Sequence, residues 1–564
     1  MTLIAALLLA AAASSSEDAK FEALASRYVQ DMLDRHPETA TRLGEHRNDA
    51  RLDDYSREGV EKDLAAIRAA LKELEQIDAA RLSPENSVDL RILRDRLEGQ
   101  IYSLTALREW EWNPMEYNPG GALYNLVARD FAPAEERVRS AIGRLNGVPA
   151  VVAAAKANLK APPRVHTTTA STQIKGTVSL ISGELEALAR QAPALDAEFH
   201  AAQKKALAAL ADYQAWLEKD LLPRSTGEFR IGPEKFRRKL RDALDSDLPM
   251  EQILARAEKE LPQAQAAMQA TALQLWPKLF PGKEPPADGH ALIKAVLDER
   301  AKSHPDNQTV IALAAKDLAQ TTAFVKARGF VGVPEEPLEI TPWPEFSRGR
   351  AVAACNPPGI LEKAKKTFYY ISPTPADWTP QRVESFFREN NDDMLQEMTI
   401  HEAMPGHYLQ LAHANQFHAP TLIRPLFGSG TFIEGWATYA EQVMAEAGYG
   451  GPEVRMQQLK MRLRMILNLI IDQKVHTAGM TEKQAMDLMM NEGFQEEGEA
   501  AGKWKRAQLT STQLSTYFVG NLEVNDIRAA WEKKHPGGSL RELHDTMLSF
   551  GSPSPKYLRE RMGL

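Results

Sequence analysis

Cysteine is nearly absent from this 564-residue chain, where Cys355 stands alone. A single thiol excludes an internal disulfide and a cysteine-rich zinc site, so any bound metal must rest on histidine and carboxylate. Cys355 has no partner motif around it and reads as a lone core or loop thiol. A basic surplus is also missing. The formal net charge is −8, with both signs mixed along the chain, which leaves no basic footprint for nucleic acid and no polybasic membrane patch. No segment after the N-terminus holds the roughly 20 apolar residues that a bilayer span requires. GEAAGKWKR lacks the spacing and the Ser/Thr of a phosphate-binding glycine loop, and no G-x-S-x-G elbow occurs. What remains is an ordinary globular composition, 43% apolar and 26% charged, in a chain long enough for several domains or one large helical body with a second lobe.

The chain opens MTLIAALLLAAAASSSEDAK. The apolar run from Leu3 to Ala13 is too short to cross a bilayer but has the length of a signal-peptide core, and it ends in small residues that suit cleavage. No basic residue precedes it. Residues 1–15 are therefore expected to be a signal peptide, and the mature protein to be periplasmic or secreted. From 16 to 330 the pattern is helical: Phe21, Leu24, Tyr28, Met32 and Leu33 share one face, as do Val60, Leu64, Ile67, Leu71 and Leu74. Pro37, Pro84, Pro114 and Pro119 punctuate these runs. Between 327 and 380 the composition turns to Gly, Pro and β-formers, and Leu338–Thr341 and Thr367–Ile371 read as short strands. After Thr379 the helical pattern resumes, with capping-box spacing at Thr481/Gln484 and Ser539/Glu542. The expected division is an N-terminal helical region, 16–330, and a second region, 331–564. The expected fold is mainly α, with a small β-sheet beside the helices that carry the chemistry.

Four of the thirteen histidines fall within 401–418. The segment His401-Glu402-Ala403-Met404-Pro405-Gly406-His407 resembles the zinc-peptidase pattern H-E-x-x-H, in which two histidines one turn apart share a helix face and the Glu is the general base. Here the histidines are six residues apart, which on a regular helix puts the second about 120° off that face. Pro405-Gly406 supplies the means to correct this, since proline breaks the hydrogen-bond ladder and glycine admits unusual backbone. The spacing therefore predicts a bulge or break between the two histidines. A third ligand is required, and Glu434 is the better candidate; Glu441, seven residues on, suits support of a ligand or contact with substrate. Glu397, one turn before His401, reads as an exposed carboxylate first and as a support for a metal ligand second, and His413 and His418 as surface histidines. Gln410 is a candidate to orient a neighbour, and Trp436 a packing residue near the site.

The paired motifs HEAMPGHYLQ (401–410) and EGWATYAE (434–441) resemble those of a bacterial domain-of-unknown-function family carrying HEAxPGHxxQ and EGWAxYAE, which is related to the gluzincin metallopeptidases. PETATRLGEH, LLPRSTGEFRIG (221–232), VHTAGMT (475–481) and the final LRERM extend the resemblance along the chain. The resemblance implies a large helical, two-lobed, metallopeptidase-like fold holding zinc, with His401, His407 and Glu434 as ligands and Glu402 as base. Tyr517 matches a recurrent tyrosine of the family's C-terminal region, although TSTQLSTYFVG stands where a Pro-Gly-Gln-like turn is expected. Tyr517, His476 and Arg506 are candidates to hold a tetrahedral oxyanion. The expected activity is zinc-dependent hydrolysis of short peptides. A zinc amidase acting on a non-peptide or cell-wall amide fits the same residues, as does a non-catalytic helical protein with a structural metal, although the latter has no need of Glu402. Exopeptidase or endopeptidase action and oligomeric state are not written in these motifs.

Overall fold

The computed structural model describes residues 16–343, 351–362, 366–376 and 378–564. The expected signal peptide lies outside the described residues. The chain is mainly helical, as expected, running from Ser16–Arg35 through a series of packed helices to three short strands and then helices again. Ten elements position the site. They are α1 (Met250–Leu279), α2 (Val310–Arg328), α3 (Pro380–Glu389), α4 (Asp392–Glu402), α5 (His407–Asn415), α6 (Gly430–Glu446), α7 (Gly451–Ala478), α8 (Glu497–Leu509) and α9 (Thr516–Lys534), together with the sheet counted as one.

The sheet has the order β1-β3-β2, with β1 (Leu338–Pro342) parallel to β3 (Thr367–Ile371) and β2 (Ala353–Asn356) antiparallel to it. β1 and β3 coincide with the β-rich runs in the sequence. β2 does not, because Ala-Ala-Cys-Asn has weak β propensity and becomes a strand only by pairing with Phe368–Ile371. One side of the sheet packs on the buried face of α4 through Leu395 and Ala403.

α7 is the central strut. It is buried on nearly every side and packs along α1 through Leu459, Leu463, Ile466, Ile470 and Met268. A helix buried all round must pair its polar groups. Lys460 donates to both oxygens of Glu389 at 3.0 and 2.9 Å. Asp472 accepts from Thr512 N, Ser515 N and Ser515 Oγ, which fixes the turn before α9; burial pushes this carboxyl up to about 6. That turn holds Thr512 at φ 71°, a conformation that favours glycine, where the family resemblance expects a Pro-Gly-Gln-like turn.

α6 and α9 cross backbone to backbone. A Cβ on Gly435 would lie 2.5 Å from the carbonyl carbon of Gly520, and one on Gly520 would lie 2.2 Å from the Thr431 oxygen. The two glycines let α6 sit close to α9 and set the depth at which Glu434 stands.

Candidate metal centre

α4 ends at Glu402, and the chain folds back on its own last turn. Ala403 N and Met404 N both donate to Thr399 O, and Gly406 N donates to Ile400 O at 2.9 Å. These bonds satisfy carbonyls that a helix end otherwise leaves open. A new helix, α5, then begins at His407. The backbone therefore breaks between the two histidines, and their rings meet at right angles with centroids 4.7 Å apart. Trp436 Nε1 donates to Pro405 O at 2.9 Å and ties this loop to α6.

Glu434 arrives from α6. Its Oε2 lies 3.7 Å from His401 Nε2 and 3.5 Å from His407 Nε2. Those separations are long for hydrogen bonds, but close to the spacing of about 3.3–3.5 Å that tetrahedral ligands of one zinc ion keep. Among the described residues Glu434 Oε2 is buried and has no hydrogen-bond partner, as a candidate ligand to a cation would be. Ligand atoms of His401, Glu402 and His407 also fall within 4.8 Å of one another, making these three residues a possible metal site. Glu402 is held by the sheet: its Oε2 accepts the Cys355 N–H at 2.9 Å. The donor set is thus two imidazoles and carboxylate oxygen, a chemistry that suits zinc.

The charges around the site follow from these contacts. Burial alone would raise the Glu434 carboxyl, yet His401 and His407 hold it below the usual carboxylate range. Burial would lower the His401 imidazole, yet Glu434 and Glu441 raise it well above its ordinary range. Glu441 Oε1 accepts from His401 Nδ1 at 2.6 Å, an arrangement in which Nε2 would be the ligand atom once a metal displaces its proton. Glu441→Ala should lower zinc affinity by about 10–100-fold, as loss of such a partner typically does, in a competition titration against a chromophoric chelator. Unchanged affinity would remove Glu441 from the site.

A cavity of about 410 Å³ opens on this cluster. His401, Glu402, Tyr517, Arg506, Lys503 and Arg464 are among its lining residues. A second cavity of about 490 Å³, lined by Tyr124, Arg129 and Glu362 among others, contains none of these.

Residues 37–562 match the model of a family described as bacterial protein of unknown function, DUF885. The chain belongs to this family. A candidate lipoprotein of unknown function from Shewanella oneidensis is 32% identical, superposes with a TM-score of 0.83, and is matched over 96% of this chain and 100% of its own. A candidate lipoprotein from Colwellia psychrerythraea has the same fold at 18% identity, with a TM-score of 0.78 over 96% of this chain and 98% of its own. The M32 carboxypeptidase of Deinococcus radiodurans aligns at 13% identity over 90% of this chain and 95% of its own, with a TM-score of 0.33, a value that establishes no common fold. No curated protein matches the sequence.

In this DUF885 chain the structure sorts the remaining candidates. Tyr517 is half-buried in the cavity wall, and its hydroxyl accepts from Arg506 Nη2 at 3.3 Å. His476 is elsewhere. Its Nε2 donates to Ala507 O and Thr510 O at 2.9 and 3.0 Å, its ring stacks on Phe236, and burial lowers its basicity. It caps the C-terminal end of α8 and is not among the cavity-lining residues, because the inward face of α7 at that level meets Phe229 and Phe236. Glu397 also departs from expectation. It is fully buried, with no donor to either oxygen among the described residues. Burial, then the adjacent Glu441 carboxylate, raises it well above its ordinary range. Gln410 donates to Ser552 Oγ at 2.8 Å and His413 bonds to Gly332 O, while His418 is exposed. Burial, then the nearby Glu402 carboxylate, pushes the Cys355 thiol well above the ordinary range. The residues that sequence reasoning passed over are Lys503 and Arg464, which lie in plain helical pattern with no motif around them.

Proposed function

We propose that this protein is an exported zinc-dependent hydrolase of short peptides. The observation that carries the reading is the convergence of His401 Nε2, His407 Nε2 and the unpartnered Glu434 Oε2, with Glu402 anchored beside them. His401, His407 and Glu434 would hold the metal. When bound, zinc supplies a Lewis acid that polarises a carbonyl and acidifies a water. Glu402 takes the proton of the water that attacks the scissile carbonyl carbon, and passes it to the leaving amine nitrogen as the C–N bond breaks. Tyr517, with Arg506 behind it, stands in the cavity wall to donate to the oxyanion. The half-open cavity, of about 410 Å³, has the size of a small-ligand cleft, which favours short peptides over folded proteins.

Export is supported by the apolar N-terminal run and by the description of the Shewanella relative as a candidate lipoprotein. No helix among the described residues is long and apolar enough to cross a membrane.

The test is metal removal. The purified protein should hold about one zinc per chain, and should cleave members of a short-peptide library. Dialysis against a strong chelator should abolish cleavage, and stoichiometric zinc should restore it. A protein that binds no zinc, or that cleaves equally well after chelation, is not this enzyme.

A further inference from the structure

The cavity that opens on the metal-ligand candidates is also lined by cations that its carboxylates leave without a hydrogen bond. Arg464 on α7, and Lys503 and Arg506 on α8, line it, with Arg382 at its exposed edge stacked on Trp378. The facing carboxylates are Glu389, Glu496 and Glu499, besides Glu402 and Glu441 of the centre itself. Glu441 is engaged by His401 and Glu402 by the Cys355 N–H. Glu389 is consumed: Lys460 bonds both its oxygens, and Arg464 donates to Oε1 at 2.6 Å. Glu496 is exposed.

That leaves Glu499 for two cations. Its nearest approach to Lys503 Nζ is 3.8 Å, beyond a hydrogen bond, although Lys503 is only 9% exposed. Among the described residues no acceptor bonds that ammonium. Arg506 donates only to the neutral Gln513 Oε1 and Tyr517 hydroxyl, and no carboxylate of the described residues lies within 4.0 Å of it. Arg464 Nε is buried too and has no partner among the described residues. An ammonium that meets the cavity from a largely buried side chain, with no anion bonded to it, is incompletely compensated, and an anionic ligand entering the cavity would supply what is missing. Burial depresses Lys503 to about 8, the mark of an ammonium that its surroundings leave short of compensation.

We propose that Lys503 and Arg506 bind a carboxylate of the substrate, so that the peptides turned over are those presenting a free carboxylate beyond the scissile bond. This deepens the hydrolase reading and rests on it for the reaction, but not for the binding. A carboxylate reaching this wall takes two or three charge-assisted hydrogen bonds, and Arg506 offers it a fork. Its source is either the α-carboxylate of a C-terminal residue or the side chain of Asp or Glu.

The test is calorimetric binding to the full-length Glu402→Gln protein, which does not turn substrate over. The probes are N-acetyl-Ala-Ala, its C-terminal amide, and N-acetyl-Ala-Glu amide. Binding of the free acid at least tenfold tighter than its amide assigns the α-carboxylate; the same preference for the Glu amide over the Ala amide assigns the side chain. In either case Lys503→Met, which keeps volume and removes charge, should abolish the preference while leaving the Ala-Ala amide unaffected. Arg506→Gln is the second variant, should the first fold poorly, and should reduce the same preference. Equal binding of all three probes, no binding of any, or a preference that survives both substitutions would overturn the proposal. The titration is repeated on chelated protein. A carboxylate preference that persists there in a protein without peptide hydrolysis keeps this site and sinks the hydrolase reading. Zinc-dependent hydrolysis indifferent to carboxylates does the reverse.

Discussion

Glu402→Gln should keep the metal and lose the reaction. The amide oxygen of Gln accepts the Cys355 N–H as the carboxylate does, so the side chain stays where β2 holds it. His401, His407 and Glu434 are untouched, and zinc content and melting temperature should match the parent protein. What goes is the capacity to take a proton from water, since an amide is no base at any working pH. Positioned proton transfer typically contributes about 10²–10⁴-fold, and kcat should fall by at least that factor with little change in KM. Full activity in this variant would end the proposed mechanism, whatever the metal content.

Gly406→Ala should damage the centre without touching any ligand atom. A Cβ at this position would stand 1.9 Å from the His401 carbonyl oxygen and 2.4 Å from that of Ile400. Both obstacles are backbone at the end of α4, and neither can swing aside as a side chain would. The loop must lift off the helix, breaking the Gly406 N–H bond to Ile400 O, and His407 is the next residue along. Overpacking of this kind costs about 1–3 kcal/mol in stability. Displacement of His407 by even ~1 Å should cost about 10²-fold in activity. Gly176→Ala is the control, because a Cβ there meets nothing within 4 Å. Thermal unfolding and zinc titration of the two variants together decide the matter: a Gly406→Ala protein indistinguishable from Gly176→Ala in both would show that the turn is not what aligns the histidines.

Legibility followed the range of the interaction. The capping boxes at Thr481/Gln484 and Ser539/Glu542 form as the sequence predicts, because donor and acceptor lie three residues apart on one helical turn. The break between His401 and His407 was visible in Pro405-Gly406 for the same reason. β1 and β3 were visible in their β-branched and aromatic runs, whereas β2 was not, since its strand character comes from β3. Glu397 looked like one more carboxylate on a helix, and nothing within four residues reveals that the fold buries it beside Glu441 of α6. His476, in VHTAGMT, read as a candidate to hold the oxyanion. Its partners are carbonyls more than thirty residues away, and only closure of α7 against α8 makes it a cap.

By itself the sequence determined the helical class, the residue types available to a metal, and the irregular turn that separates two of them. Those properties rest on composition and on contacts within one or two turns of chain. The tertiary structure decided which side chains come together: it set Glu434 of α6 against both imidazoles, and brought Lys503 and Arg506 to the same cavity as Glu402. The physical reason is that burial and charge compensation are properties of the whole packed surroundings. A lysine on an unremarkable helix acquires its role from the anions that the rest of the chain places beside it, or fails to.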